Sequence, residues 1–395
     1  MKNTSITNRM QGTGSDKWEL FLKARALAAS GKDVIELTIG EPDVPTPPEL
    51  IEAASAAMQQ GRTTYSNGRG EPGLRNALAE HYSHKTGREL SCDQFLCFPG
   101  TQTSLFAVLM GVAEAGDEVI VGDPMYATYE SVILASGAKL VPVALRPEKG
   151  FRIDAGDIAK KVTPKTRALL LTTPHNPTGA ILTREDIDAI GKLAIEHDFW
   201  IISDEVYGEL VFDDSTFHSP LANRNITERV IVVSSISKSH AAPGFRSGWC
   251  VGPCAFIEQL LPFAEAMLFG NQPFIADMTE KAIREGSSVA PGMRKRYSAR
   301  ASLLKQRLEA ETKLIVHRPE AGMFAMINIA STGLTGNEYA NDLLNQYGVA
   351  VMPGSSFGST LENWVRVALT IDDQSFEEAC NRIIAHAHST TKAVA

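Results

Sequence analysis

Nowhere in this 395-residue sequence does an uninterrupted apolar run approach the length of a membrane span, and the opening MKNTSITNRMQGTGSDKW is polar, with no stretch that could serve as an export signal. A soluble, unexported protein is expected. Basic residues are short as well: 38 Lys and Arg against 46 Asp and Glu leave a formal charge of -8, with no polybasic patch to neutralise a phosphate backbone. Nucleic acid is therefore not an expected partner. Cysteine is scarce, odd in number and scattered (Cys92, Cys97, Cys250, Cys254, Cys380), which reads as reduced thiols packed in a core and points to a cytoplasmic protein. Asn225-Ile226-Thr227 matches a glycosylation acceptor, but that reading requires secretion. The chain carries no internal repeat and no low-complexity segment.

What the chain has is apolar surface in plenty, 44% hydrophobic against 21% charged, and a length that predicts two domains. From about residue 48 to about 290, short runs rich in Val, Ile and Leu alternate with amphipathic stretches, the rhythm of an α/β sheet. The runs at 95–98, 119–121, 140–143, 168–171, 200–202, 230–233 and 249–251 are continuously apolar, as buried and mostly parallel strands should be. Helices at 101–115 and 184–197 fall between some of them. Beyond about residue 291 a long charged helix (293–312) and strands at 322–329, 349–351 and 364–369 read as a smaller α+β domain, to which segment 33–39 returns. The expected division is a large α/β domain over 48–290, with 1–47 and 291–395 forming the small domain and an N-terminal arm.

Gly68, Gly70 and Gly73 spell G-x-G-x-x-G ahead of a helical stretch, the signature of a dinucleotide-binding turn. That turn needs an apolar strand before it, and residues 61–67 are polar, so a loop is the better reading. More informative is Ser234-Ser235-Ile236-Ser237-Lys238-Ser239-His240, with Arg246 eight residues past the lysine, directly after the strand 230–233. Open α/β sheets bind ligands at the carboxyl ends of their strands, and a lysine desolvated there can lose its proton and form a Schiff base with an aldehyde. Ser235, Ser237 and Arg246 would supply donors for a phosphate. Taken alone, S-x-S-K reads more readily as a polar loop with a solvated lysine.

Neighbouring strand ends change the odds. Ser203-Asp204-Glu205-Val206-Tyr207 places an acid and a phenol at the same edge, where an aspartate could keep a pyridine nitrogen protonated; a helix cap is the plain alternative for Asp204. One strand earlier, Pro174-His175-Asn176-Pro177-Thr178-Gly179 aims Asn176 into the same crevice. Gly100-Thr101-Gln102 opens a helix whose free N–H groups would seat a phosphate. Tyr126 could cover an aromatic ring by stacking, or could be an ordinary core tyrosine.

In their order and spacing these residues resemble the class I and II aminotransferases of the fold type I pyridoxal-phosphate family, over nearly the whole chain. The resemblance implies a mostly parallel α/β sheet flanked by helices, pyridoxal 5'-phosphate as cofactor, and amino acids and 2-oxo acids as substrates. It makes Lys238 the Schiff-base lysine and proton shuttle, puts Asp204 at the pyridine nitrogen, and places Asn176 and Tyr207 at the ring oxygen. It sets Gly100, Thr101, Gln102, Ser235, Ser237 and Arg246 around the phosphate, with Tyr126 on the ring. It further implies a homodimer in which Tyr65 reaches the partner's phosphate, and a substrate pocket bounded by Gly40, with Arg366 binding the α-carboxylate. Arg366 stands inside the apolar strand 364–369, where a guanidinium needs an anion to offset its desolvation. Trp18 is expected to line the side-chain pocket. No cation for a distal carboxylate is obvious; Arg69, reaching across the dimer, is the candidate, with a solvated loop arginine as the alternative. The family's common activity makes aspartate with 2-oxoglutarate the first expected pair, followed by a broad-range or arginine/pyruvate transaminase. A carbon–sulfur β-lyase could use the same cradle.

Overall fold

The computed structural model describes residues 3–13 and 15–394. Every apolar run between residues 95 and 251 forms a strand of one seven-stranded sheet: β2 (Phe95–Phe98), β3 (Glu118–Asp123), β4 (Lys139–Ala144), β5 (Thr166–Thr172), β6 (Trp200–Asp204), β7 (Val230–Ser235) and β8 (Gly248–Val251). The order across the sheet is β2-β8-β7-β6-β5-β3-β4. β7, β6, β5, β3 and β4 run parallel, and β8 lies antiparallel between β7 and β2. Parallel strands need covering on both faces, and the apolar side chains separate accordingly. On β5, Leu169 and Leu171 join one core, while Ala168 and Leu170 join another with the helices Thr101–Val112 and Cys254–Met267.

Crossover helices are set by local sequence. Arg184–His197 begins in a capping box, with Thr183 accepting from the Asp186 N–H and Asp186 accepting from the Thr183 N–H, and carries Glu185 and Asp186 at its positive end. The G-x-G-x-x-G segment has no strand before it. Gly70 has φ +100° and lies so close to Cys97 that a Cβ would sit 2.5 Å from the cysteine Cβ, so its glycine serves close packing.

A second sheet has the order β1-β11-β12-β10-β9, built from β1 (Ile35–Leu37), β9 (Ile315–His317), β10 (Phe324–Asn328), β11 (Val349–Pro353) and β12 (Trp364–Ala368). Segment 33–39 does return to it, with β1 parallel to β11 in the register Ile35↔Val349. The long charged helix, Ala290–Glu311, packs through Met293, Tyr297, Ala301, Leu304 and Leu308 against this sheet's core. Cys97, Cys250 and Cys380 are buried as expected, whereas Cys254 is exposed at a helix start; all five thiols are free. Among the described residues no helix is long and apolar enough to cross a membrane.

Candidate active site

The carboxyl ends of β5, β6 and β7 and the start of the helix after β2 open on one cavity of about 240 Å³, which segment 39–40 and Arg366 of the second sheet close from the other side. Such a crevice at the strand ends, between two packed layers, is where α/β proteins hold ligands. Lys238 leaves the end of β7 and points its Nζ into the cavity, donating to the Gly40 carbonyl at 2.7 Å. Burial pulls its ammonium down to about 8; the Glu41 carboxylate opposes this, and the positive Arg366 and Arg246 reinforce it. A neutral amine is thus accessible near neutral pH.

Asp204 ends β6 with only 6% of its surface exposed. Its Oδ2 accepts from the Tyr129 hydroxyl at 2.8 Å and its Oδ1 from the Val206 N–H at 3.1 Å; Tyr129 in turn accepts from Thr172 Oγ1 at 2.7 Å. Burial pushes the Asp204 carboxyl up to about 6, against the pull of Tyr129, the Val206 N–H and Lys238. Among the described residues Asp204 has no ion pair, and a protonated ring nitrogen would supply one.

The Asn176 side chain donates to the Tyr207 hydroxyl at 3.4 Å, and its carbonyl oxygen accepts from Arg366 Nη1 at 2.9 Å. Arg366 is 2% exposed and has no carboxylate partner among the described residues. Its second Nη donates to the Thr38 carbonyl at 2.6 Å, its Nε has no partner, and the rings of Phe324 and Phe357 flank its guanidinium at 3.8 and 4.3 Å. Burial works against its charge. The cation–π contacts offset part of that cost, and an incoming carboxylate would offset more.

At the other end, Gly100 caps Thr101–Val112 with φ +86° and no side-chain cap, leaving the first N–H groups of the helix free. Thr101 Oγ1 is buried without a hydrogen-bond partner among the described residues. Arg246 stands so close that a Cβ on Gly100 would lie 2.4 Å from its Nη2. Ser235 and Ser237 line the same wall, and Gln102 accepts from the Thr128 hydroxyl at 3.0 Å. Unpartnered donors, a helix N-terminus and a guanidinium make a seat that fits a phosphate dianion. The residues present therefore fit a phosphorylated pyridine aldehyde from end to end.

Trp18, Gly40 and Tyr126 line the cavity as expected, with Tyr126 edge-on to Tyr129 at 5.6 Å. Tyr65 and Arg69, both expected to act across a dimer, are not among the residues that line this chain's own cavity. Tyr65 is 89% exposed and packs edge-on against Phe269, and Arg69 is ion-paired with Glu258 of its own chain at 2.5 Å. The ion pair and 17% side-chain exposure set Arg69 apart from a solvated loop arginine. Sequence reasoning missed Tyr129, Thr172, Thr38 and Phe324. Thr172, a polar residue closing an apolar strand, carried the same signal as Asp204; Phe324 lies in an apolar stretch that marks only a core, and Tyr129, between Thr128 and Glu130, stands in no pattern.

The family described as aminotransferase class I and II matches residues 32–383. The arginine–pyruvate transaminase AruH of Pseudomonas aeruginosa is 38% identical over 383 residues, covering 97% of either chain. An aspartate aminotransferase of Pyrococcus abyssi is 34% identical over 360 residues, 90% of this chain and 92% of that one. Among solved structures, the aspartate aminotransferase of Thermus thermophilus with maleate superposes with a TM-score of 0.92 at 30% identity, covering 98% of this chain and all of the other. With the geometry of the cavity, these matches show an enzyme, and the chain belongs to the class I and II aminotransferases.

Proposed function

We propose that the protein holds pyridoxal 5'-phosphate at Lys238 and moves an amino group from an L-amino acid to a 2-oxo acid. The observation that carries this reading is one cavity that brings together a buried lysine of lowered proton affinity, a buried aspartate with no ion pair among the described residues, and a helix N-terminus beside Arg246 that suits a phosphate. When bound, the cofactor supplies an aldehyde that condenses with amines and a pyridinium ring that withdraws electrons from the substrate carbon. Asp204, oriented by Tyr129, holds the charge of that ring nitrogen; Asn176 and Tyr207 face the ring oxygen; Gly100, Thr101, Gln102, Ser235, Ser237 and Arg246 hold the phosphate. Arg366 grips the substrate α-carboxylate with Phe324 and Phe357 excluding water from its faces. Lys238, whose Nζ faces the cavity with its proton affinity lowered, would take and return the substrate's α-proton. A single carboxylate anchor admits donor and acceptor one after the other, so kinetics should be ping-pong. Lys238→Ala is expected to abolish amino transfer in a protein that still folds; ordinary turnover in that variant would refute the assignment.

Aspartate with 2-oxoglutarate would need a second cation. Among the described residues lining the cavity the cations are Lys238, Arg246 and Arg366, each with a role above, and Arg69 is engaged by Glu258. The remaining wall includes Trp18, Ile39, Leu105 and Phe324. This wall favours donors whose side chain carries no carboxylate, and the resemblance to an arginine–pyruvate transaminase makes arginine with pyruvate the second pair to assay. If aspartate is nevertheless the donor, Arg69→Gln should raise its KM selectively. The assembly proposed is a homodimer, supported by the exposed Tyr65 and Phe269 side by side on one surface. A cytoplasmic location is supported by the free thiols.

A further inference from the structure

Residues 38–43 follow β1 as a strap whose Ile39 and Gly40 line the cavity, and three of its backbone carbonyls accept side-chain hydrogen bonds. Arg366 donates to the Thr38 carbonyl, Lys238 to the Gly40 carbonyl, and Thr370, two residues past β12, donates to the Ile39 carbonyl at 3.4 Å. Within the strap only Pro42 has its φ fixed by its own ring. At its far end, however, Asp43 is gripped from the helix Ala290–Glu311. Arg296 makes a fork of two bonds to the carboxylate, 2.8 Å each; Arg300 Nη1 donates to Oδ2 at 2.9 Å and the Tyr297 hydroxyl to Oδ1 at 2.9 Å. Burial pushes the Asp43 carboxyl up, but the bonds from Arg296, Arg300 and Tyr297 outweigh it and hold the group below its ordinary range, so it stays ionised.

Arg300 does more than neutralise Asp43. The same Nη1 donates to the Leu369 carbonyl at 2.8 Å, one residue beyond the strand that carries Arg366, and its Nε reaches Asp373 at 2.7 Å. Arg300 is 4% exposed, and so ties the strap and the end of β12 to one point. The position of Arg366 relative to Thr38 and Gly40 is thereby fixed from both sides.

We infer that Asp43 is a positioning residue for substrate binding: through Arg300 and Arg296 it sets the strap and the end of β12 so that Arg366 and the cavity-lining Ile39 and Gly40 receive the amino acid in one geometry. It touches neither substrate nor cofactor. The inference rests on the proposed role of Arg366, since a small displacement of a carboxylate fork weakens binding and orientation together.

The test uses the cofactor-loaded enzyme and compares Asp43→Asn, Arg296→Gln and Asp373→Asn with Arg366→Gln. Asp43→Asn is isosteric, leaves Arg296 without its anion and leaves Arg300 with Asp373 alone. It is expected to raise KM for any amino-acid donor about tenfold or more, with the cofactor's visible absorbance and its dissociation constant unchanged. Arg296→Gln, which loosens the strap alone, should raise KM by a smaller factor of about three and keeps the inference testable if Asp43→Asn fails to fold. Asp373→Asn breaks the outermost link at a side chain 76% exposed and should lower the melting temperature slightly without moving KM. Unchanged KM in both Asp43→Asn and Arg296→Gln, or equal rises in Asp373→Asn, overturns the inference. An unchanged KM in Arg366→Gln would instead overturn the reading of the carboxylate anchor, so the two failures are distinguishable.

Discussion

Lys238 and Asp204 are both held in ionisation states that the fold alone does not favour, and this has a consequence for stability. The native lysine has its proton affinity lowered to about 8 from an ordinary 10.5, so between those values the unfolded chain binds more protons than the folded one. Stability from this group is present above about 10.5 and is lost as pH falls toward 8. Asp204 runs the other way. Its native carboxyl titrates near 6 and its unfolded one near 3.8, so stability is present below 3.8 and is lost as pH rises to about 6. At neutral pH both charged groups work against the cofactor-stripped fold. Asp204→Asn should therefore raise its melting temperature at pH 7, by something on the order of 1–3 kcal/mol of stability, with little gain at pH 4; a lower melting temperature at pH 7 would contradict this account. The same substitution should cripple turnover of the loaded enzyme. At this scale the sequence was informative where a polar residue closed an apolar strand, as at Asp204, Asn176 and Lys238. It was silent on Tyr129 and Phe324, because a lone aromatic says at most that the residue is packed, not which side chain it faces.

Strands and their ends were legible as elements because a buried parallel strand is a short apolar run, and all seven runs between residues 95 and 251 lie in one sheet. Their neighbours were not. That β8 inserts antiparallel between β7 and β2 depends on pairings between segments far apart in the chain, for which periodicity carries no signal. The three-residue strands β1 and β9 are too short to show a pattern, and β1 was placed only through its position before the Gly40 turn. The helix that opens at Gly100 permits a direct test of the anion seat. A side chain there would be strained by the positive φ and would collide with Arg246, so Gly100→Ala should weaken cofactor binding at least tenfold. Equilibrium dialysis of the variant with pyridoxal phosphate reads this, and affinity equal to the parent enzyme would show that the phosphate sits elsewhere.

For the molecule as a whole, the mostly parallel sheet and the return of segment 33–39 to the second sheet were readable from texture and order. The surface was not: Arg69 was expected to serve a distal carboxylate, and only the folded chain shows Glu258 beside it. Charge patterning along a loop does not reveal a partner almost 190 residues away. Tyr65, exposed against Phe269, belongs to the scale of the assembly. Tyr65→Ala should leave the fold intact while lowering cofactor affinity if the homodimer shares its sites; sedimentation beside cofactor titration separates lost assembly from a lost contact, and unchanged affinity in an intact dimer would remove Tyr65 from the site.

The central claim is tested by mixing the cofactor-loaded enzyme with one amino acid at a time, without any acceptor, and following visible absorbance, 2-oxo acid and ammonia together. Amino transfer predicts one equivalent of 2-oxo acid per site with no free ammonia, fastest for donors lacking a side-chain carboxylate, and restoration of the starting spectrum when a 2-oxo acid is added. Continuous release of ammonia with 2-oxo acid, and no change in the resting spectrum, would contradict it and identify an eliminating enzyme.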